Sequence, residues 1–250
     1  MEKHDKYVHD MDWGVNAISF DNFKNYRKYQ YDLIKNYIGK SIIEIGSGDR
    51  AFTRQILLNN ENIECIYSIE PSETLFNIPF DNFHFPKNVQ FECVDLFDLA
   101  RDKAGIFDTA IFIHVLEHIE EDKEALNTIF NFIKPGGYVL IEVPALPKLF
   151  SIHDETLGHF RRYNKKMLKS IIDENKFEVV KMWYQDPIGV LGSLYFFKLR
   201  KIKIKSDQGL DLAKNQGGIY DKYIIPMEKF IEKLITFPFG LSLTAILKKR

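Results

Sequence analysis

The chain has 250 residues, a formal net charge of −1 at pH 7 and a hydrophobic fraction of 45%. The balanced charge excludes a global electrostatic attraction to nucleic acid, and the apolar fraction is enough for a sizeable core. At this length we expect one large α/β domain, or one domain with an elaboration.

The first predicted elements surround a glycine-rich turn. Residues 1–20 show no regular pattern, whereas aromatic and aliphatic residues over 23–37 have the spacing of an amphipathic helix. A β-branched run then passes through Glu44-Ile45-Gly46-Ser47-Gly48 into a run with helical spacing over 51–59. A strand that turns through glycines into a helix start makes a cradle of backbone N–H groups. This stretch predicts a nucleotide-like cofactor site, and Glu44 suits a ligand that carries an ammonium or ribose hydroxyls.

Further apolar runs continue the alternation of strand and helix. A helix predicted over 121–133 stops at Pro135-Gly136-Gly137, a helix-ending turn. Another helix is predicted over 165–174, and a last strand near 241–247 follows a long interruption. The remaining strands are predicted over 63–69, 89–94, 107–113, 138–143 and 177–184. Such alternation predicts an α/β fold, a doubly wound parallel sheet with helices on both faces.

Polar residues stand where four of the predicted strands end. They are Glu44, Glu70, Asp95 and His114. Ligands of open parallel sheets bind outside the carboxyl ends of the strands. The convergence of these residues at one edge is the strongest sign of a binding site in the sequence.

We interpret the chain, 1–250, as a single domain. Its predicted parts are an N-terminal arm and helix over 1–40, a core over 41–185, a helical insertion over 186–237 and a last strand over 238–250. The longest uncharged apolar run, 187–197, is too short to span a bilayer as a helix. Contact of the basic run 198–205 with a lipid surface is the less favoured interpretation of that segment.

Cysteine usage and the N-terminus bear on the compartment. Cys65 and Cys93 lie in apolar runs without a CxxC pair or metal spacing, so we expect buried, reduced thiols. Residues 1–12 are charged and lack an apolar stretch, so we expect no secretory signal. Both observations favour a cytoplasmic protein.

The ordered set of motifs resembles the class I S-adenosylmethionine-dependent methyltransferases. The matching segments are Glu44 to Gly48, Glu70, Asp95, Phe107-Asp108, His114 to Ile119 and Lys134 to Gly137. The resemblance implies a Rossmann-like sheet of seven strands, mostly parallel with an antiparallel last strand, and S-adenosylmethionine as cofactor. More narrowly, Asp154 to Tyr163 and Pro238 to Leu243 resemble a bacterial subgroup, many members of which accompany polysaccharide or glycoconjugate genes.

The resemblance also implies roles at the cofactor site. Gly46 and Gly48 would pass under the methionine and ribose portion, and Glu70 would accept hydrogen bonds from the ribose hydroxyls. His114 would hold the amino-acid end through its backbone. The implied cofactor-binding set is Tyr26, Glu44, Gly46, Ser47, Gly48, Glu70, Pro71, Asp95, Leu96 and His114.

One residue departs from the family pattern. Arg50 stands where the family usually has a third glycine. We expect its side chain to point outward, because the first two glycines make the close approach to the cofactor. The departure leaves a second hypothesis open, a binding protein of this fold that has lost catalysis.

Two motif matches compete with the methyltransferase interpretation. Gly46-x-Gly48-x-x-Ala51 followed by Glu70 also satisfies the dinucleotide-binding fingerprint, so NAD is an alternative cofactor. His114-x-x-Glu117-His118 spells a zinc-protease pattern, which needs both histidines on one helical face. His114 ends a predicted strand, so the two rings should diverge and we expect no metal.

Transfer of a methyl group to a hydroxyl requires a general base that takes the hydroxyl proton. The candidates for this base are His118, His153 and His159. Acceptor-binding candidates are Asp154, Arg161, Arg162 and Tyr163, with ion pairs at a helix start as an equal alternative. The paired arginines suggest a small anionic acceptor, such as a phosphate, a phosphoramidate or an acidic sugar, methylated on oxygen or nitrogen. The expected partner is this small molecule and not nucleic acid, and the oligomeric state stays open.

Overall fold

In the computed structural model, residues 23–77, 83–201 and 218–250 are described, and they form one seven-stranded sheet. The strands are β1 (Ser41–Ile45), β2 (Cys65–Ile69), β3 (Val89–Glu92), β4 (Phe107–Ile113), β5 (Ile133–Pro144), β6 (Phe177–Gln185) and β7 (Ser242–Lys249). Their order is β3-β2-β1-β4-β5-β7-β6. The first five pair in parallel, and β7 runs antiparallel to both β5 and β6. The predicted fold class is confirmed.

Helices cover both faces of this sheet. They are α1 (Lys24–Ile34), α2 (Ala51–Asn59), α3 (Glu73–Phe76), α4 (Asp122–Phe130), α5 (Ile152–Thr156), α6 (Lys165–Ile171), α7 (Pro187–Ser193) and α8 (Ile225–Ile231). Alternate strand residues supply the two cores: Ile42 and Ile111 pack on the α1 and α2 side, and Ile43 and Phe112 pack on the opposite side. Both faces are thereby covered, and the strand ends stay available for a site.

The start of β5 differs from the expectation. The strand begins at Ile133 and includes Pro135-Gly136-Gly137, where the sequence predicts a helix-ending turn. A Cβ on Gly137 would lie 2.7 Å from the carbonyl oxygen of Asp108, so β5 and β4 approach too closely there for a side chain. Gly137 therefore serves close strand packing near a register shift, and α4 has already ended at Phe130.

The insertion between β6 and β7 is fastened to the N-terminal helix. The Asp221 carboxylate accepts hydrogen bonds from the backbone N–H groups of Asn25 (3.0 Å) and Tyr26 (2.7 Å), which caps α1. Tyr29 donates to Glu232 on the same side. These contacts fix Tyr26 near the carboxyl ends of the central strands, where the sequence places the cofactor.

The insertion also exposes apolar side chains. Leu191, Phe230 and Leu234 are 69%, 67% and 71% exposed. No helix within the described ranges is both long enough and apolar enough to cross a membrane. Contact with a lipid surface stays a prediction, and the arm over 1–20 and the second half of the basic run 198–205 lie outside the described residues.

The cysteines are less buried than expected. Cys65 is half-buried on β2 and Cys93 is exposed, and both are thiols rather than disulfide halves. Cys93 follows β3, which is the edge strand of the sheet that the described residues form.

Candidate active site

Backbone strain gathers at one edge of the sheet. Among the described residues, five that are not glycine have positive φ. Four of them follow the ends of β1, β4, β5 and β6: Arg50, His114, Leu146 and Asp186. Strained backbone of this kind clusters at functional sites. The unusual backbone conformations therefore lie at the carboxyl ends of the strands, the edge at which the sequence predicts the site.

The turn after β1 forms an open cradle. Gly46 has φ +67°, and a Cβ there would lie 2.6 Å from Val115, so only glycine fits. Gly48 has φ +51° with open space where a Cβ would stand. The Ser47 hydroxyl is buried and has no hydrogen-bond partner within the described ranges. An open backbone beside an unpaired buried hydroxyl fits the cofactor that the sequence predicts.

The Glu70 carboxylate borders this cradle. It accepts hydrogen bonds from the backbone N–H groups of Gly48 (2.8 Å) and Ser72 (3.0 Å), which ties the end of β2 to the turn after β1. Pro71 follows it and is half-buried. A carboxylate fixed at this position suits the vicinal hydroxyls of a ribose.

The turn after β3 holds the next two predicted residues. The Asp95 carboxylate accepts a hydrogen bond from the Phe97 backbone N–H (3.0 Å) and so caps a short helical turn. Leu96 is 3% exposed and packs into the core. The backbone of this turn, rather than the Leu96 side chain, is what remains available to a ligand.

Glu44 faces the interior instead of the cradle. Its carboxylate accepts hydrogen bonds from Ser68 (2.9 Å) and Thr53, which connects β1 with β2 and α2. The residue is 4% exposed, and burial raises the pKa of its carboxyl to about 7, against the hydroxyl hydrogen bonds that lower it. The predicted cofactor contact of Glu44 stays a prediction, while its tie to α2 gives it a structural role.

We expect stability to fall as pH rises through the titration range of Glu44. The unfolded carboxyl ionises near its ordinary value of 4.5, whereas the folded one keeps its proton until about pH 7. The folded state loses about 3 kcal/mol relative to the unfolded state over that interval, and none below it. Urea unfolding of wild type and Glu44→Gln, from about pH 5 to about pH 8, should show a shallower pH slope in the variant. Glu61→Gln, at an exposed carboxylate, should keep the wild-type slope.

Arg50 is buried, which corrects the expectation that it points outward. Arg50 is 4% exposed. Its guanidinium lies over two aromatic rings, 5.0 Å from the ring centroid of Phe76 and 4.9 Å from that of Phe91. It also donates to the Phe76 carbonyl. Because the side chain lies over the β3 edge, it leaves the cradle open despite the missing third glycine.

Arg50→Gly should lower stability by about 1–2 kcal/mol and change cofactor affinity less than about 3-fold. Glycine relieves the left-handed backbone at φ +62°, but the loss of two cation–π contacts outweighs that gain. Thermal unfolding and titration calorimetry with S-adenosylmethionine measure the two effects. A large recovery of affinity in the variant would instead support a degenerate cofactor site.

A buried charged cluster lies at the end of β4. His114 Nε2 is 3.1 Å from Glu142, and His114 Nδ1 is 3.3 Å from Glu117. Burial alone would lower the pKa of His114, but the two carboxylates outweigh it and raise that pKa to about 10. Gln30 of α1 donates to Glu142 (2.8 Å). The side chain of His114 is thus held in place, and its backbone N–H donates to the Glu142 carbonyl (2.9 Å).

Glu142, which contacts His114 at the candidate site, is not among the residues that the sequence analysis singles out. It is completely buried on β5 in the apolar run Leu140-Ile141-Glu142-Val143. A single carboxylate within an apolar strand is the sequence signal that draws attention to Glu44, and the same signal could have identified Glu142. Tyr26 lies on this side as well, and burial together with Glu142 and Asp186 raises the pKa of its hydroxyl well above the ordinary value.

Two of the three candidate histidines meet beside this cluster. The rings of His118 and His159 are 4.6 Å apart and nearly perpendicular. Burial lowers the pKa of His118 to about 4. Glu117, completely buried, lies next to both rings, and burial opposes its ionisation while His114 and the two other histidines lower its pKa. The third candidate, His153, is on α5, where burial lowers its pKa to about 4.

The four acceptor-binding candidates are engaged inside the protein. Asp154 is completely buried, forms a capping box with Ser151, and pairs with Arg162 at 2.6 Å and His159 at 3.0 Å. Burial opposes this ionisation, but His159 and Arg162 outweigh it and lower the pKa of Asp154 to about 2. Asp154, Arg162 and His159 are therefore joined in a buried ion-pair network at the start of α5.

Arg161 and Tyr163 form a second group around Asp122. The Arg161 guanidinium lies 2.7 Å from Asp122 and donates to the carbonyls of Ile119 and Glu120, both at 3.0 Å. Tyr163 is 1% exposed and donates to Asp122 (2.8 Å). As placed, neither these side chains nor Asp154 and Arg162 present a free charge to an acceptor, because each is paired within the chain.

The strand order and the site define a class of protein. A glycine cradle after β1, an acid after β2 and an antiparallel β7 between β5 and β6 are the architecture of the class I S-adenosylmethionine-dependent methyltransferases. The family model described as "Methyltransferase domain" matches residues 23–182, more than half of the chain. The chain therefore belongs to this methyltransferase family.

Individual relatives are distant. The chain is 24% identical over 101 residues to a ubiquinone biosynthesis O-methyltransferase of Chromobacterium violaceum, covering 40% of this chain and 43% of that protein. It is 22% identical over 197 residues to a malonyl-[acyl-carrier protein] O-methyltransferase of Halalkalibacterium halodurans, covering 76% of this chain and 70% of that protein. A solved S-adenosylmethionine-dependent methyltransferase from Archaeoglobus fulgidus superposes with a TM-score of 0.55 at 20% identity, over 89% of this chain and 92% of that one.

These comparisons bear on the predicted class and cofactor. The prediction of a class I methyltransferase that uses S-adenosylmethionine is confirmed at the level of the family. The dinucleotide fingerprint is therefore an accidental match within the glycine cradle. The polysaccharide-associated subgroup and the predicted role of each site residue stay predictions.

Proposed function

We propose that this protein transfers the methyl group of S-adenosylmethionine to an oxygen or nitrogen of a small acceptor. The observation that carries the proposal is the open Gly48 backbone next to the fixed Glu70 carboxylate at the carboxyl edge of the sheet. When bound, S-adenosylmethionine supplies an electrophilic methyl group. The protein's own residues then have to hold the acceptor in line, exclude water and receive a proton.

The cofactor contacts follow from the placement of the strand ends. The cradle over Gly46 to Gly48 would hold the methionine and ribose portion, Glu70 the ribose hydroxyls, and the turn at Asp95 the adenine. His114 and Tyr26 lie on the opposite side of the cradle, where the amino-acid end would lie. Of these positions, the Glu70 carboxylate is the most sharply testable.

The group formed by Glu117, His118 and His159 would help to remove the acceptor's proton. This group lies at the end of β4, the strand next to the cradle strand β1. Oxygen is the atom we propose first, because two of the relatives are named as O-methyltransferases. A sugar or phosphorylated sugar of surface polysaccharide synthesis is the acceptor class that the motif at 154–163 suggests, although its arginines are paired internally.

His118→Ala and His159→Ala should each cut turnover by about 100-fold or more while leaving S-adenosylmethionine affinity within about 3-fold of wild type. The reason is that both rings lie beyond the end of β4, outside the glycine turn that would hold the cofactor and where the acceptor would bind. Initial rates and calorimetry on the same preparations separate the two quantities. Unchanged turnover in both variants would remove these histidines from the mechanism.

The decisive experiment is titration of the purified protein with S-adenosylmethionine and, separately, with NAD. We expect micromolar binding of the sulfonium cofactor alone. A screen with methyl-labelled S-adenosylmethionine should then cover sugars, phosphorylated sugars, phenols and amines. Binding of neither cofactor, or of NAD alone, would overturn the proposal, and cofactor binding without transfer to any acceptor would favour a non-catalytic protein of this fold.

A further inference from the structure

Glu117, His118 and His159 form an unusual group. In the part of the chain that the structure describes, one ligand atom from each of the three lies within 4.8 Å of the others. Glu117 is completely buried, and its carboxylate faces His114 Nδ1 at 3.3 Å but makes no hydrogen bond of good geometry among the described residues. A buried carboxylate with oxygen lone pairs left over beside two further imidazoles can take another ligand.

The imidazole rings of His118 and His159 are each fixed by a hydrogen bond. His159 Nδ1 lies 3.0 Å from the Asp154 carboxylate, which is itself fixed by Arg162 at 2.6 Å. The His118 ring is hydrogen-bonded to the backbone of Gly158. Each ring therefore has one nitrogen engaged, and one ring nitrogen of each histidine lies within 4.8 Å of a Glu117 carboxylate oxygen. Metal-ligating histidines show this arrangement, in which a carboxylate or a carbonyl fixes the far nitrogen.

We propose that Glu117, His118 and His159 bind one divalent transition-metal ion of the Zn²⁺ type. Two imidazoles and one carboxylate are a donor set that suits Zn²⁺ and its first-row neighbours. Ligand atoms bound to one such ion lie about 3–4 Å apart, so the side chains have to close by roughly 1 Å. Three protein ligands leave a coordination position open.

The role of the open position rests on the proposed methyl transfer. An acceptor hydroxyl that binds there has its pKa lowered by the ion, so that its O–H bond breaks near neutral pH and the proton passes to solvent. The oxygen keeps the electron pair that forms the new bond to the methyl carbon. In this arrangement the two histidines are metal ligands and do not themselves take the proton.

The proposal departs from the sequence-based expectation of no metal. That expectation considers only the pair His114 and His118, whereas the present cluster contains His159 in place of His114, which contacts Glu142 and Glu117. The third ligand is His159, which the segment after α5 brings back over the end of β4. Its Phe160 backbone N–H donates to the Glu117 carbonyl at 2.9 Å, which fastens the two segments together.

The test is metal uptake by untagged full-length protein after dialysis against a chelator. We expect about one Zn²⁺ or Co²⁺ per chain by elemental analysis, and a visible spectrum of bound Co²⁺. Glu117→Gln and His118→Asn should each weaken Co²⁺ binding by more than about 100-fold. Substitution of a residue that only supports a metal ligand typically costs about 10- to 100-fold. His153→Asn, at a nearby histidine outside the group, should bind Co²⁺ like wild type.

Folding is checked separately by circular dichroism and thermal unfolding with and without Zn²⁺. Zn²⁺ should raise the unfolding temperature of wild type and His153→Asn but not of Glu117→Gln. Folded wild type that takes up neither metal, or wild-type Co²⁺ affinity in both Glu117→Gln and His118→Asn, would overturn the proposal. Because calorimetry with S-adenosylmethionine tests the cofactor site independently, failure of the metal site leaves the proposed cofactor binding intact.

Discussion

Glu70→Ala should weaken S-adenosylmethionine binding by about 10- to 100-fold, because hydrogen bonds from ribose hydroxyls to a carboxylate are of the strong, charge-assisted kind. The change also releases the Gly48 N–H, which Glu70 holds at 2.8 Å, so the cradle loses its fixed shape. Titration calorimetry gives the affinity directly. Glu70→Gln should fall between wild type and alanine, since an amide oxygen can still accept.

Glu73→Ala is the matched control for this prediction. Glu73 carries the same charge three residues further on, but it is exposed on α3. The control should bind S-adenosylmethionine within about 2-fold of wild type, because an exposed charge contributes little. Equal affinities for Glu70→Ala and Glu73→Ala would show that the end of β2 does not contact the cofactor.

Asp154→Ala should reduce the free energy of unfolding by about 3–5 kcal/mol, which corresponds to roughly 6–20 °C in the unfolding temperature. The reason is that Arg162, only 5% exposed, would be left buried without its carboxylate. The capping box at the start of α5 and the partner of His159 are lost with it. Chemical denaturation at neutral pH measures the effect.

A double-variant cycle separates the charge from the rest of this network. Asp154→Ala with Arg162→Met should be more stable than Asp154→Ala alone, because no unpaired charge remains in the interior. Glu174→Ala, which breaks the exposed pair with Lys169, should lose less than about 1 kcal/mol. If Asp154→Ala instead raised the KM for the acceptor without loss of stability, the result would support the acceptor-binding role that the sequence suggests.

The sequence predicts the sheet well because its signals are local. The glycine turn after β1, the β-branched strand runs and the charged strand ends all lie within short windows, and alternation of strands and helices restricts the topology. Expectations fail where the cause is a distant contact. The start of β5 depends on how closely Gly137 passes the Asp108 carbonyl, and the burial of Arg50 depends on Phe76 and Phe91.

By itself, the sequence determined the order of elements, the glycine turn after β1 and the edge of the sheet at which the candidate residues gather. Only the tertiary structure decided the state of the polar side chains there. It pairs Arg162 with Asp154, brings His159 to His118 and Glu117, and places Glu142 against His114. The physical reason is that propensity and periodicity act over a few residues, whereas the partner of a buried charge is set by whichever segment packs against it.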